Sequence, residues 1–402
     1  MSTGGWSKVR LARMHDILAG HVARGDMPGL VALVSRRDDV HVAVIGTQAE
    51  GGPPMRRDTI FRIASLTKPI TAAAAMILVE ECRVRLDDPV DRFVPELANP
   101  RVLKRLDGPV EDTVPARRSI TLRDLLTFRL GAGVLMSPPD STPIQRAMTQ
   151  QGISQGPPHP STGVTPDEWI RRFATLPLMY QPGERWMYNT GSDVLSVLIA
   201  RVARQSFETF LQERIFEPLG MDDTGFSVPG SEIDRLATSY DVSFETGKLR
   251  VYDNAEGGEW SRPPAFPSGS GGLVSTIDDY LAFGRMLLNH GKHGHERILS
   301  RPSVLAMTTD QLTPEQKTLS GLYPGQFENN GWGFGVSVVT RRDDLPGSVG
   351  RFGWDGGLGT SWASDPAEGL VGILMTQRAW TSPVPPPVCR DFWTSAYQAI
   401  DD

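Results

Sequence analysis

The sequence predicts an α+β fold in which one antiparallel β-sheet, flanked by helices, carries a mainly helical inserted domain. Three observations lead there. Short β-branched runs cluster at the two ends of the chain, tight links join them, and the long middle is broken into helical pieces by proline and glycine loops. Strands from both termini then complete one sheet, which places residues 1–85 and 328–402 in the sheet domain. Residues 86–327 form the helical domain, and an active site is expected at the interface of the two.

Taken in order, residues 8–23 carry apolar side chains at Val9, Leu11, Met14, Leu18 and Val22, the spacing of an amphipathic helix. The runs 29–35 and 41–46 are β-branched and joined by a polar link, as in a hairpin. An alanine-rich apolar helix follows from Ser65 to Glu80, with Pro69 tolerable only near its start. Helical patterns recur over 121–128, 166–174, 191–203 and 275–288, the last opened by the capping signal Ser275-Thr276-Ile277-Asp278-Asp279. Between them, 129–165 is rich in glycine and proline and too long for a simple connector, which marks a functional or mobile loop. Strands return at 332–340, 351–354, 359–363 and 370–375, and a helix over 388–400 ends the chain.

The composition is that of an ordinary globular protein, 39% hydrophobic and 22% charged over 402 residues. A net charge of −6, without lysine- or arginine-rich clusters, speaks against nucleic-acid binding. The first ten residues lack the apolar core of a signal peptide, and no apolar run approaches the ~18 residues of a membrane span. Cys82 and Cys389 are expected to be buried thiols in a reducing compartment, so the chain reads as cytoplasmic. His290, His293 and His295 share a glycine-containing loop, and no motif nearby supplies the converging acidic or cysteine partners a metal needs, so no metal and no other cofactor is expected. Oligomeric state is not legible.

The most informative stretch is Phe61-Arg62-Ile63-Ala64-Ser65-Leu66-Thr67-Lys68. Ser65 and Lys68 fall on one face of a helix that is apolar nearly all round and so buried. Desolvation favours the neutral amine of a buried lysine, and a neutral amine can take the proton of a serine hydroxyl. The bland alternative is a helix cap at Ser65 or Thr67, with Lys68 reaching solvent. A rival serine signature, Gly152-Ile153-Ser154-Gln155-Gly156, fits a nucleophile elbow, but Pro157-Pro158-His159-Pro160 forbids the helix that must follow it. Ser154 is expected to be a loop residue.

With four further segments the chain resembles, over nearly its full length, the serine β-lactamase and penicillin-binding-protein-like superfamily, and within it the carboxylesterases of class C β-lactamase fold. The segments are 121–127, Pro182-Gly183-Glu184-Arg185-Trp186-Met187-Tyr188-Asn189-Thr190-Gly191, Gly269-Ser270-Gly271-Gly272-Leu273-Val274-Ser275-Thr276, and Phe352-Gly353-Trp354-Asp355-Gly356-Gly357. The resemblance implies a β-lactamase/transpeptidase-like fold, with Ser65 as the acylated serine, Lys68 as its lysine partner and Tyr188 as the tyrosine that exchanges a proton with the nucleophile. It implies backbone N–H groups of Ser65 and Gly357 as the oxyanion hole. A tyrosine beside an ammonium has its ionised form favoured and can serve as a base. Trp354, Gly356, Asn189, Phe352 and Trp362 are the expected substrate-binding residues, with Trp332 adding apolar area.

Trp354 stands where β-lactamases keep the lysine of a Lys-Thr-Gly motif, a cation that helps hold the substrate carboxylate. An aromatic side chain there favours a neutral group. The expected partner is therefore a small ester or amide, and the expected activity is hydrolysis of short-chain carboxylic esters through an acyl-enzyme. The alternatives are a β-lactamase, a D-amino-acid amidase or peptidase, or an acyltransferase using the same intermediate. A binding module that had lost its chemistry would be expected to lack Ser65, Lys68 or Tyr188; the chain keeps all three.

Overall fold

The computed structural model describes residues 5–153, 156–342 and 344–402. Strands β1 (Gly29–Arg36), β2 (Asp39–Gly46), β3 (Asn330–Trp332), β4 (Ser337–Val339), β5 (Phe352–Gly356), β6 (Thr360–Asp365) and β7 (Leu370–Thr376) form one seven-stranded sheet. Its order is β3-β4-β5-β6-β7-β1-β2, and every neighbouring pair is antiparallel. The N-terminal hairpin thus closes one side of a C-terminal meander, and β1, paired to β7 and β2, is buried along its whole length.

Period-2 alternation sorts the strands between two cores. Leu30, Ala32, Val34 and Leu374 pack under α1 (Lys8–Ala23) and α5 (Pro387–Gln398). Val31, Leu33, Ile373 and Trp362 face α2 (Thr67–Glu80) and α4 (Ile277–Leu288). In α1, Leu11, Met14 and Leu18 are buried while Val9 points to solvent. α4 falls within residues 86–327 and packs on the sheet: Tyr280 and Phe283 both contact Trp362, and a Cβ on Gly284 would come within 2.6 Å of the Trp362 indole nitrogen.

Four local readings change. The run 332–340 is two strands rather than one, because Gly335, at φ +72°, turns the chain back against α2, where a Cβ would sit 2.7 Å from that of Ala72. The middle of the chain also holds short ladders, among them Ser239–Val242 with Leu249–Asp253 and Phe61–Arg62 with Val274–Ser275. The loop 129–165 contains a helix, Pro143–Gln150, started by a Thr142–Gln145 capping box. Cys82 is exposed; only Cys389 is buried, and both are free thiols. Ser154, of the rival serine signature, lies outside the described residues. Among those residues no helix is long and apolar enough to cross a membrane, and no cluster of metal-ligating side chains occurs.

Candidate functional site

The first motif folds as a short ladder and a tight turn that feed a buried helix. Phe61 and Arg62 pair with Ser275 and Val274, and the buried guanidinium of Arg62 is held by Asp253 and the carbonyls of Ala237 and Asn254. A 3₁₀ turn, Ala64–Leu66, then runs into α2. Ala64 has φ +44°, a left-handed conformation that a non-glycine residue adopts only when its surroundings impose it. Tyr280 supplies part of that constraint, its hydroxyl donating to the Leu66 carbonyl at 2.8 Å.

Lys68 is 1% exposed, which excludes a solvent-reaching side chain. Its Nζ donates to Ser65 Oγ at 2.9 Å and to the Ser270 carbonyl at 2.5 Å, and lies 4.5 Å from the ring centroid of Tyr188. Burial lowers its pKa to about 7, against the opposing pull of the Asp193 carboxylate. A large share of neutral amine is therefore present near neutral pH.

The second motif ends in α3 (Thr190–Ala203). Gly191 lets α3 approach the helix Leu122–Leu126, where a Cβ would come within 2.8 Å of the Leu125 carbonyl oxygen. Asn189, just before α3, has φ +85° and ψ −70°, the second strained residue beside a reacting group. Tyr188 sits among Phe128, Trp186 and Trp354 with centroid separations of 5.6–5.8 Å. The indole N–H of Trp354 donates to its hydroxyl oxygen at 2.7 Å. Burial raises the Tyr188 pKa well above its ordinary value, although the hydrogen bonds to Ser65 and Trp354 favour ionisation. Burial thus opposes the ionised form of Tyr188 that the sequence reading favoured.

Asp193, which sequence reasoning did not single out, lies one turn into α3 and is 8% exposed. Its Oδ1 accepts from Ser268 Oγ at 2.6 Å and from the Ser270 N–H at 3.2 Å, so it fixes the turn whose Ser270 carbonyl holds Lys68. Its own pKa is raised by burial. The available signal was a lone acid in an otherwise apolar helix pattern.

These groups open into a cleft of about 470 Å³, lined by Ser65, Tyr188, Asn189, Asp193, Trp354 and Gly357. Val134, Ile153, Pro158, Phe266 and Tyr323 form its outer wall, so the long loop does border the site. Neither Phe352 nor Trp362 reaches the cleft. Trp362 is 1% exposed and Phe352 2%; they contact each other, and Trp362 is covered by Tyr280 and Phe283 of α4. Trp332 is likewise core, edge-on to Trp354 at 4.6 Å. Gly356 faces inward, where a Cβ would strike the Ile63 carbonyl and Thr360; the glycine lets β5 approach the turn that carries Ser65. A hydroxyl, an amine whose pKa burial lowers and a phenol that share one hydrogen-bonded cluster can relay a proton to and from an attacking oxygen.

The β-lactamase family model matches residues 14–386. The chain belongs to the β-lactamase family. A Mycobacterium tuberculosis protein, Rv1367c, is 41% identical over 360 residues, covering 88% of this chain and 86% of that protein. Esterase EstB of Burkholderia gladioli is 30% identical over 393 residues, covering 92% and 91%. The solved structure of EstCE1, described as a hydrolase with promiscuous acyltransferase activity, superposes with a TM-score of 0.78 at 25% identity and covers 97% of this chain and 99% of that one. This β-lactamase-family chain therefore has esterase and acyltransferase relatives of the same fold.

Proposed function

We propose that the protein is a serine hydrolase that cleaves short-chain carboxylic esters through an acyl-enzyme on Ser65. The observation that carries this reading is the 2.9 Å hydrogen bond between Ser65 Oγ and the buried Lys68 Nζ. Neutral Lys68 takes the hydroxyl proton as Ser65 Oγ attacks the ester carbonyl. The carbonyl oxygen becomes an oxyanion between the backbone N–H groups of Ser65 and Gly357. When the tetrahedral species collapses, the ester C–O bond breaks and the departing alkoxide takes a proton from Tyr188, which Lys68 replenishes. Water then attacks the acyl-enzyme by the reverse relay and releases the acid.

The cleft supports an uncharged acyl group. None of its described lining residues is lysine or arginine, and Asp193 places a carboxylate in its wall. A substrate carboxylate next to the reacting carbonyl would be desolvated without a counter-ion. Transfer of the acyl group to an alcohol other than water is a second reading, favoured by the apolar wall of Val134, Ile153 and Phe266 that competes with water for the acyl-enzyme.

A panel of p-nitrophenyl acetate, p-nitrophenyl butyrate, a chromogenic cephalosporin and D-amino-acid amides tests the substrate class. The expected result is a higher kcat/KM for both esters than for any other member. Faster opening of the cephalosporin than of either ester would replace the esterase reading with the β-lactamase one.

A further inference from the structure

Three glycines, Gly269, Gly271 and Gly272, lie in the turn between Ser268 and Leu273. Packing requires two of them. A Cβ on Gly269 would come within 2.5 Å of the Ser192 carbonyl oxygen, and one on Gly272 within 2.8 Å of the buried Phe226 ring. Gly271 differs. Its φ is outside the left-handed region, and the atoms nearest to a Cβ there are those of Pro158, from 3.5 Å, and the Ala64 carbonyl carbon at 3.8 Å. These are ordinary van der Waals separations. Glycine loses more backbone freedom on folding than alanine does, yet neither backbone conformation nor packing calls for it at 271.

The space that Gly271 leaves open belongs to the cleft. Gly271, Pro158 and Ala64 all line the cavity that contains Ser65. The Ala64 carbonyl carbon is bonded to the Ser65 nitrogen, the proposed oxyanion donor, so a side chain at 271 would project beside the reacting carbonyl. Both sides of the opening are anchored. The Pro158 carbonyl accepts from the Tyr252 hydroxyl at 2.7 Å, and Glu259 accepts from the Ser161 N–H at 3.0 Å and Oγ at 2.9 Å. On the other side the Trp260 indole N–H donates to the Gly272 carbonyl at 2.9 Å, and the Ser270 N–H to Asp193 at 3.2 Å.

The proposed reaction assigns this opening to one part of the substrate. Tyr188, which gives its proton to the departing alcohol, stands in a wall formed with Phe128, Trp186 and Trp354. Gly271 belongs to the wall of Ala64 and Pro158. Four groups surround the tetrahedral carbon. Three of them are placed at Ser65 Oγ, at the oxyanion N–H groups and at the Tyr188 wall. The acyl chain takes the remaining direction.

We propose that Gly271 sets the acyl-chain specificity of the enzyme. The space it leaves against Pro158 receives the acyl carbons beyond the second, so the preferred substrates are esters of butanoic and hexanoic acids rather than of acetic acid. The inference rests on the reading of Ser65 as the nucleophile.

Two ester series test it. p-Nitrophenyl acetate, butanoate and hexanoate vary the acyl chain, and methyl, butyl and hexyl acetate vary the alcohol. In the unmodified enzyme kcat/KM for p-nitrophenyl butanoate should exceed that for the acetate by about 10-fold, as expected from burial of two methylene groups. Gly271→Val should remove most of that preference and Gly271→Ala part of it, while kcat/KM ratios among the three alkyl acetates shift by less than about 2-fold. An alanine at 271 fits against Pro158, so Gly271→Ala protein should melt no lower than the unmodified protein and keeps the test readable if the valine variant folds poorly. An unchanged butanoate-to-acetate ratio in the folded variants, or a loss that follows alcohol length instead, would overturn the assignment. Ester cleavage that survives in Ser65→Ala protein would sink the nucleophile reading alone, because the ratio measured in the Gly271 variants still reports where the acyl chain lies.

Discussion

The indole N–H of Trp354 donates to the phenol oxygen of Tyr188 at 2.7 Å. An indole nitrogen can only donate, so this bond occupies a lone pair of the tyrosine and leaves its own proton available to a neighbouring oxygen. Trp354 thereby orients Tyr188 as well as lining the cleft. Trp354→Phe keeps the apolar wall and removes the donor. It should lower kcat by about 5- to 30-fold, the cost of about 1–2 kcal/mol for a buried acceptor left unpaired, and leave KM nearly unchanged. A rise in KM at constant kcat would show Trp354 to be a substrate contact only.

The pH dependence follows from Lys68. Burial lowers its pKa to about 7, and the neutral form is the proposed base, so kcat/KM should rise with pH up to about 7 and level off above it. Tyr188 titrates well above its ordinary value and should impose no fall in the same range. The groups facing the amine are Ser65, the Ser270 carbonyl, Tyr188 and Asp193. Asp193→Asn removes the one negative charge among them, which makes the ammonium less favourable. The acidic limb should then move to lower pH. A limb that stays in place while the rate falls would make Asp193 a purely structural anchor of the Ser268–Ser270 turn.

Ser65, Lys68, Tyr188 and Trp354, which the structure brings together, were singled out in the sequence because each sits in a short local pattern: Ser65 and Lys68 one helical turn apart, Tyr188 just before a helix start, and Trp354 two residues before a Gly-Gly pair. Their long-range supports were not. The Lys68 bond to the Ser270 carbonyl joins residues separated by 202 positions, and no periodicity encodes it. The sheet order was half legible, since alternation assigns side chains to faces. It does not say which part of a face is covered. Trp362 is the direct cross-strand partner of Trp354, yet α4 covers it while Trp354 borders the open cleft. That is why Phe352 and Trp362 read as binding residues and are core. The single strand read over 332–340 failed at Gly335, whose left-handed turn depends on contact with α2.

This placement of Trp362 has its own consequence. Trp362→Ala should destabilise the fold by about 3–5 kcal/mol, as for truncation of a large buried aromatic. The fraction that remains folded at low temperature should keep the KM of the unmodified enzyme. Near-normal thermal stability together with a raised KM would return Trp362 to the substrate-binding set.

Lys68 and Tyr188 are proposed to act on one proton through Ser65, so their losses should not multiply. Lys68→Ala and Tyr188→Phe are each expected to lower kcat/KM by several orders of magnitude, with the double variant little worse than the poorer single one. Independent, multiplicative losses would mean that the two side chains serve separate steps.

The acyl-enzyme is the central claim, and covalent labelling with a p-nitrophenyl alkylphosphonate tests it most directly. Intact-mass and peptide analysis should find one phosphonyl group per chain, on Ser65, formed with loss of p-nitrophenol and absent from Ser65→Ala protein. A label that persists in Ser65→Ala protein, or that maps to Ser154, would contradict the account.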